Sequence, residues 1–236
     1  DHRDLHYPLR RQRQMCIRDR IKYPFEKYDQ VIVTDFMWGG MENITLTHNT
    51  DRTMHDSRAQ PDHSSVGLVA HELAHQWFGD MITTRNWANI WLNEGFARFS
   101  EAIWDEAVGG FESYKDYWQN HSYYGSGTVY VEEPDTPSQI FNGNLTYNKA
   151  GWVVHMLRGV MGDSIFFETL KSYGANDSLK YASATTEDFQ KVCEDVSGFD
   201  LENFFTDLGK YMRGIEEVII ETVSYTHLTL PTKRIV

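Results

Sequence analysis

Two histidines four residues apart, in the stretch AHELAHQWFGD at residues 70–80, constrain this chain more than any other feature. On an α-helix, positions i and i+4 lie one turn apart on the same face, so His71 and His75 can direct their rings at one point. Zinc favours imidazole nitrogen, and a catalytic zinc site has three protein ligands and an open position for water. Glu72 could take a proton from that water. The alternative is two half-buried helix histidines, and a third ligand decides between the two interpretations.

The third ligand can come from the stretch WLNEGFARFSEAIW, in which eighteen residues separate Glu94 from His75. That interval fits the end of one helix, a short return segment and a second, antiparallel helix that opens at Asn93. Glu94 would then face the histidine pair. Glu101 lies two turns further on the same face and could accept a hydrogen bond from a ligand histidine. The alternative for Glu101 is a solvated helix glutamate.

The order of the sequence patterns predicts an α+β fold, with strands in the first quarter, helices after it and the motif helix at the junction. Short β-rich stretches over residues 22–50 are broken by Gly, Asn and Asp, and a polar loop follows them. Ser64 or Ser65 can cap the motif helix, which we expect to run to Phe78 and to stop at Gly79. Helical periodicity predicts further helices at 93–109, 111–123, 147–161, 164–173 and 186–196.

Composition excludes several classes of protein. With 41% hydrophobic and 14% aromatic residues over 236 positions, the chain can bury a core and is not disordered. The net charge of −12 argues against a nucleic-acid surface, although the basic residues in the first 22 positions leave a nucleic-acid or membrane arm as an alternative. No apolar run approaches the roughly 20 residues that span a bilayer. The only two cysteines, Cys16 and Cys193, exclude a disulfide framework and a cysteine-based metal site.

Three motifs together resemble one family. The H-E-x-x-H pair followed by the glutamate of NEG is similar to the gluzincin aminopeptidases, the group of aminopeptidase N and the leukotriene-hydrolysing enzyme. GGMEN at 39–43 resembles their exopeptidase signature G-x-M-E-N, and TYNKAGWVVHML at 146–157 resembles the segment that carries their catalytic tyrosine. The likeness covers about residues 21–206 and is densest from 31 to 158.

The resemblance implies a thermolysin-like zinc metallopeptidase catalytic domain. A small strand-rich lobe would precede the motif helix, a mainly helical lobe would follow it, and the active site would lie between them. The resemblance further implies one Zn²⁺ ion held by His71, His75 and Glu94. Glu72 would act as general base for the attacking water.

The resemblance also implies a peptide substrate with a free N-terminus. Tyr147 would donate a hydrogen bond to the oxyanion, and Glu42 would anchor the α-amine. Gly39, Gly40 and Met41 would line the peptide backbone, where glycine lets an edge strand approach the substrate closely. The expected reaction is removal of N-terminal residues from peptides by attack of a water at the zinc.

The two ends of the chain differ from the part between them. RQRQMCIRDR and VSYTHLTLPTKRIV resemble translated sequencing-adapter sequence, so we expect residues 1–20 and 208–236 to be non-native and 21–207 to be a catalytic-domain fragment. Neither the family's N-terminal β-domain nor its C-terminal helical domain is matched, and Leu208 stands where the family continues with tryptophan. The side-chain preference, the compartment and the oligomeric state therefore stay open.

Two alternatives to a zinc aminopeptidase stay open as well. One is a hydrolase of other specificity at the same site, an endopeptidase or an epoxide hydrolase. The second glycine of GGMEN fits the leukotriene-hydrolysing branch, whereas Glu42 argues against an endopeptidase. The other alternative is a zinc-binding module without turnover, against which the presence of both Glu72 and Tyr147 argues.

Overall fold

The computed structural model describes residues 21–59, 64–123 and 125–210; apart from 208–210, the ends predicted to be non-native lie outside these residues. Strands come first and helices follow, which confirms the predicted α+β class. None of the helices in the described ranges has the length and hydrophobicity needed to cross a membrane. The strands are β1 (Asp29–Val33), β2 (Gly40–Met41), β3 (Leu46–Thr50), β4 (Ile82–Thr84) and β5 (Ala182–Ala184). The helices are α1 (Val66–Ala74), α2 (Trp91–His121), α3 (Pro137–Ile140), a π-helix (Gly143–Lys149), α4 (Ala150–Met161), α5 (Asp163–Ala175), α6 (Thr186–Ser197) and α7 (Glu202–Lys210).

The first sheet places β2 at an edge. Its strand order is β1-β3-β2, with β1 parallel and β2 antiparallel to β3. Strand β2 has only two residues, and Gly40 and Met41 pair with Asn49 and His48 on one side. Backbone groups on the other side of an edge strand can pair with a further chain. Among the described residues, the second side of β2 has no strand partner.

The motif helix is shorter than the sequence predicts. Helix α1 ends at Ala74 instead of Phe78, although His75 keeps helical backbone angles (φ −58°, ψ −24°) as its cap. The amides of Gln76 and Trp77 then bond three residues back, which tightens the last turn. Gly79 follows with φ +141°, a conformation that favours glycine, and turns the chain away as expected.

The second motif helix begins earlier than predicted. Helix α2 opens at Trp91 instead of Asn93, because Ile90 already has helical angles and joins the preceding 3₁₀ turn to the helix. The sequence predicts separate helices at 93–109 and 111–123. The structure has one helix over both ranges, with a kink where Gly110 adopts φ 79° and ψ −173°. Helix α5 extends beyond its expected end at 173 and includes Gly174.

An aromatic cluster holds the first turns of α2 in the core. The rings of Trp91 and Phe96 stack, and Phe96 meets Phe189 of α6 edge-to-face with ring centroids 5.1 Å apart. Tyr173 of α5 completes the cluster against Phe189. Full burial of each such side chain contributes roughly 2 kcal/mol. The Trp91 indole N–H also donates to Thr186 Oγ1 at 2.9 Å, so the start of α2 is fixed both by packing and by a hydrogen bond.

Helices α2 and α4 approach each other closely at Gly95. A β-carbon at this position would lie 2.9 Å from Ala150 Cβ and 3.0 Å from the Ala150 carbonyl carbon. Contacts this short require backbone movement, because the obstructing atoms belong to the neighbouring helix and not to a flexible side chain. Glycine at 95 therefore lets α4 pack directly against the turn that carries Glu94.

We predict that Gly95→Ala lowers the free energy of unfolding by about 1–3 kcal/mol, because overpacking outweighs the helix propensity gain of up to about 1 kcal/mol. Chemical denaturation would measure the change. Gly143→Ala is the matched control, since a β-carbon at that position meets no atom within 4 Å. Equal changes in the free energy of unfolding of the two variants would contradict the close packing of α4 against Gly95.

Candidate active site

Three buried side chains from two helices converge on one point. His71 projects from α1 and His75 from its cap, while Glu94 lies in the first turn of α2. Glu94 Oε2 lies 3.2 Å from His71 Nε2 and 3.4 Å from His75 Nε2. The three residues each offer a ligand atom, and these atoms all lie within 4.8 Å of one another. The structure thus brings together the two histidines and the distant glutamate that the sequence singles out.

The second nitrogen of each histidine has its own partner. His71 Nδ1 lies 2.8 Å from Glu101 Oε1, and His75 Nδ1 lies 2.9 Å from the Phe78 carbonyl oxygen. Such partners fix the ring orientation and the tautomer, so that Nε2 faces the cluster as an electron-pair donor. The Phe78 carbonyl is available because the carbonyls at the end of a helix have no amide partner further along it.

Glu101 is itself held by two further side chains. Arg98 Nη1 donates to its carboxylate at 3.0 Å, and the Tyr117 hydroxyl donates at 2.9 Å. Glu101 is buried, which excludes the solvated alternative weighed from the sequence. The sequence did not predict these two roles: Arg98 lies within the stretch WLNEGFARFSEAIW but was given no role, and Tyr117 was interpreted as a core-packing aromatic.

The buried carboxylate and the two imidazoles shift one another's pKa. Burial alone would raise the pKa of Glu94, but the nearby imidazoles outweigh it and hold that pKa well below its usual range. Burial would likewise lower the pKa of His71, yet its hydrogen bonds to Glu101 and Glu94 raise it to about 9. Glu94 therefore stays ionised in the core. Two imidazoles and one carboxylate are also the donor set of a known class of catalytic zinc site, so these residues fit a zinc ion.

Glu72 is buried beside the ligands and faces the edge strand. Its Oε2 atom has no hydrogen-bond partner within the residues that the structure describes. Burial is the main reason that its pKa rises to about 7, against the lowering effect of the two imidazoles. A β-carbon added at Gly40 would collide with the Glu72 carboxylate, so the glycine leaves room for it. An unsatisfied buried carboxylate oxygen between a metal site and an edge strand is suited to receiving a proton.

Tyr147 lies over the same cluster. It belongs to the π-helix, which Asn142 caps by accepting hydrogen bonds from the Asn144 and Leu145 amides. The Tyr147 ring stacks on His71 with centroids 5.9 Å apart. Burial and, secondly, the charge of Glu94 raise the pKa of Tyr147, so the phenol keeps its proton at neutral pH and can donate a hydrogen bond.

Glu42 stands at the end of the edge strand and lines the same cleft. Its carboxylate makes no hydrogen bond or ion pair with the described residues, whereas its backbone carbonyl accepts a hydrogen bond from Gln76 Nε2 at 2.8 Å. Gly39, Gly40 and Met41 line the cleft beside it. The cleft has a volume of about 820 Å³, which is within the range of pockets that bind small ligands.

Sequence comparison identifies one family. The profile described as "Peptidase family M1 domain" matches residues 16–208. Aminopeptidase M1-D of Oryza sativa subsp. japonica is 34% identical to this chain over 201 residues, which cover 78% of this chain and 22% of that relative. The chain thus spans about a fifth of the length of this curated relative.

Solved structures share the fold. The M1 zinc metallopeptidase from Deinococcus radiodurans superposes with a TM-score of 0.69 at 24% identity, covering 87% of this chain and 44% of that chain. Legionella pneumophila aminopeptidase A, solved in complex with aspartic acid, gives a TM-score of 0.77 at 20% identity, covering 86% of this chain and 24% of that chain. The predicted metallopeptidase catalytic fold is therefore confirmed.

We predict that Glu101→Ala weakens zinc binding by about 10–100-fold, because the His71 ring loses the partner that orients it. Competition with a chelator of known affinity would measure the change. Glu112→Ala, an exposed glutamate on the same helix, is the control and should leave the affinity unchanged. Equal affinities for the two variants would mean that Glu101 does not orient His71.

Proposed function

Because this chain belongs to peptidase family M1, we propose that it carries the active site of a zinc-dependent aminopeptidase, which removes N-terminal residues from peptides. The observation that carries the proposal is the position of Glu72, which is buried between the His71, His75 and Glu94 cluster and the edge strand that leads to Glu42. One short region thus combines a metal site, a base and an acidic group for an amine.

His71, His75 and Glu94 would hold one zinc ion through the two Nε2 atoms and a carboxylate oxygen. A zinc ion held there supplies Lewis acidity, which lowers the pKa of water to about 7 and polarises a carbonyl group. The protein contributes the fixed orientation of the three ligands, since the outer nitrogens of both rings are already engaged.

Glu72 would act as general base and then as general acid. It would accept a proton from the attacking water and pass it to the leaving amine. Burial raises the pKa of this carboxyl and the charge of a zinc ion held beside it would lower it, so the two effects oppose each other at the working site. The unpartnered Oε2 atom supports this role.

Tyr147 would donate a hydrogen bond to the oxyanion that develops on the attacked carbonyl. Its pKa lies above the usual range, mainly through burial, so the donor proton is retained. Loss of one such donor typically lowers turnover by about 10²–10³. The stacking of Tyr147 on His71 holds the phenol beside the metal ligands and supports this assignment.

Glu42 would bind the substrate α-ammonium, and β2 would pair with the substrate backbone. Strand pairing gives affinity without selecting side chains, and the carboxylate adds the requirement for a free N-terminus. Gly39, Gly40 and Met41 would lie along the peptide. The absence of an internal partner for the Glu42 carboxylate, within the described part of the chain, supports this role.

The decisive experiment compares two substrates on the full-length protein, an aminoacyl-coumarin amide with a free α-amine and its N-acetylated twin. We expect release from the free amine alone, because Glu42 pairs only with an ammonium group. Glu42→Gln should remove most of that discrimination. Equal release from both substrates by the unmodified protein would favour an endopeptidase or another hydrolase, and no release with zinc bound would favour a binding module.

We predict that Glu72→Gln lowers kcat by about 10²–10⁴, because glutamine keeps the shape but cannot accept the proton. Metal analysis should find the same zinc content, since the ligands are untouched. Glu187→Gln is the matched control, because Glu187 is an exposed residue of α6 outside the cleft. Unchanged kcat in Glu72→Gln would exclude the residue as the base.

A further inference from the structure

The side-chain amide of Gln76 links the turn that follows α1 to the segment that follows the edge strand β2. Gln76 directly follows His75 and is completely buried. Its Nε2 atom donates to the Glu42 carbonyl oxygen at 2.8 Å and to Asp80 Oδ2 at 2.6 Å. Its Oε1 atom accepts from the Thr45 amide and from the Tyr23 hydroxyl, each at 3.1 Å. A side-chain amide offers two donor and two acceptor positions; both donors and one acceptor are used here, and the Tyr23 hydroxyl shares its proton between Gln76 Oε1 and the Lys27 carbonyl oxygen, 2.9 Å away.

The network fixes which way the Gln76 amide points. The Glu42 carbonyl can only accept and the Thr45 amide can only donate, so exchanging the oxygen and nitrogen of Gln76 would break both bonds. The Gln76 side chain therefore bonds to the backbone of one short segment in two ways, with Nε2 as the donor and Oε1 as the acceptor. That segment contains Glu42 and leads from β2 into β3.

The other hydrogen bonds of this segment tie it to the sheet and to itself: the Asp29 amide donates to the Thr45 carbonyl and the Leu46 amide to the Asn43 carbonyl, each at 2.9 Å, so the bonds from Gln76 are what attach it to the residues after α1. Strand β2 has two residues and pairs on one side only, through Gly40 and Met41. Thr45 adopts φ 67°, a left-handed conformation that β-branched residues rarely hold without support. The two bonds from Gln76 bracket Glu42 and Thr45 and attach the segment to the residue next to a metal ligand.

We propose that Gln76 is a positioning residue for amino-terminal specificity: it sets the distance between the amine-binding Glu42 and the metal ligands on α1. This inference rests on the proposed function. The Gln76 backbone continues directly from His75. The hydrogen bonds of the Gln76 side chain therefore place the segment that carries the Glu42 carboxylate at a fixed position relative to His75. A substrate amine bound by Glu42 is thereby held at a fixed distance from the cleaved bond, which defines an aminopeptidase.

Two variants and one control test the proposal on the full-length protein. Gln76→Met keeps the length of the side chain and removes all four hydrogen bonds. Gln76→Glu keeps acceptors for Thr45 and Tyr23 but replaces the donor to the Glu42 carbonyl with an oxygen. Gln190→Met is the matched control, since Gln190 donates hydrogen bonds to Glu194 and Glu202 on the surface, away from the cleft.

The readout is the ratio of kcat/KM for the free-amine substrate to that for its N-acetylated twin, measured with zinc content. We expect both Gln76 variants to bind zinc and to lower the ratio by about tenfold or more, chiefly by raising KM for the free amine; a tenfold change corresponds to about 1.4 kcal/mol. Gln190→Met should leave the ratio unchanged.

The outcomes separate this proposal from the function it rests on. If the unmodified protein does not discriminate between the substrates, the aminopeptidase assignment fails before any variant is compared. If it discriminates and the zinc-loaded Gln76 variants discriminate equally, the positioning role is overturned. Failure of both variants to fold with zinc would assign Gln76 to stability of the fold and would also overturn it.

Discussion

The burial of Glu94 between two imidazole rings is the interaction on which the rest of the structure depends. A carboxylate removed from water costs several kcal/mol unless nearby charges and hydrogen bonds offset the cost. His71 and His75 provide that compensation here, at 3.2 and 3.4 Å. The aromatic packing of Trp91 and Phe96 holds the first turn of α2 in place, and the glycine beside Glu94 admits α4. The core is therefore arranged to keep one charged group in a fixed position.

The orientation of the two histidine rings comes from hydrogen-bond partners that lie outside the cluster of His71, His75 and Glu94. Glu101 turns the His71 ring and is held by Arg98 and Tyr117. The ring of His75 depends on the Phe78 carbonyl, which lies in the turn that follows α1. The last carbonyls of a helix have no amide partner further along the helix, so the end of the motif helix supplies this acceptor. The sequence prediction placed that end at Phe78, four residues beyond Ala74.

The sequence predicted that His71, His75 and Glu94 converge, because helical periodicity and a fixed interval define that cluster locally. It predicted the α+β class for the same reason, since strand and helix patterns differ in period. Tyr147 and Glu42 came only from the resemblance, because a single tyrosine or glutamate carries no periodic signal. Gln76 could not be found in either way: its partners Tyr23, Glu42 and Thr45 lie 53, 34 and 31 residues away, and only the folded chain brings them together.

One short segment connects the separate parts of the site. Between residues 71 and 80 the chain provides two metal ligands, the candidate base, the amide that holds the edge strand and the carbonyl that orients His75. Side chains that share partners in this way do not contribute independently to stability or activity. A shift of the turn after His75 would move a ligand ring and the edge strand together. The candidate metal site and the proposed amine-binding carboxylate are therefore linked through this segment, and the spacing between them depends on how the segment folds.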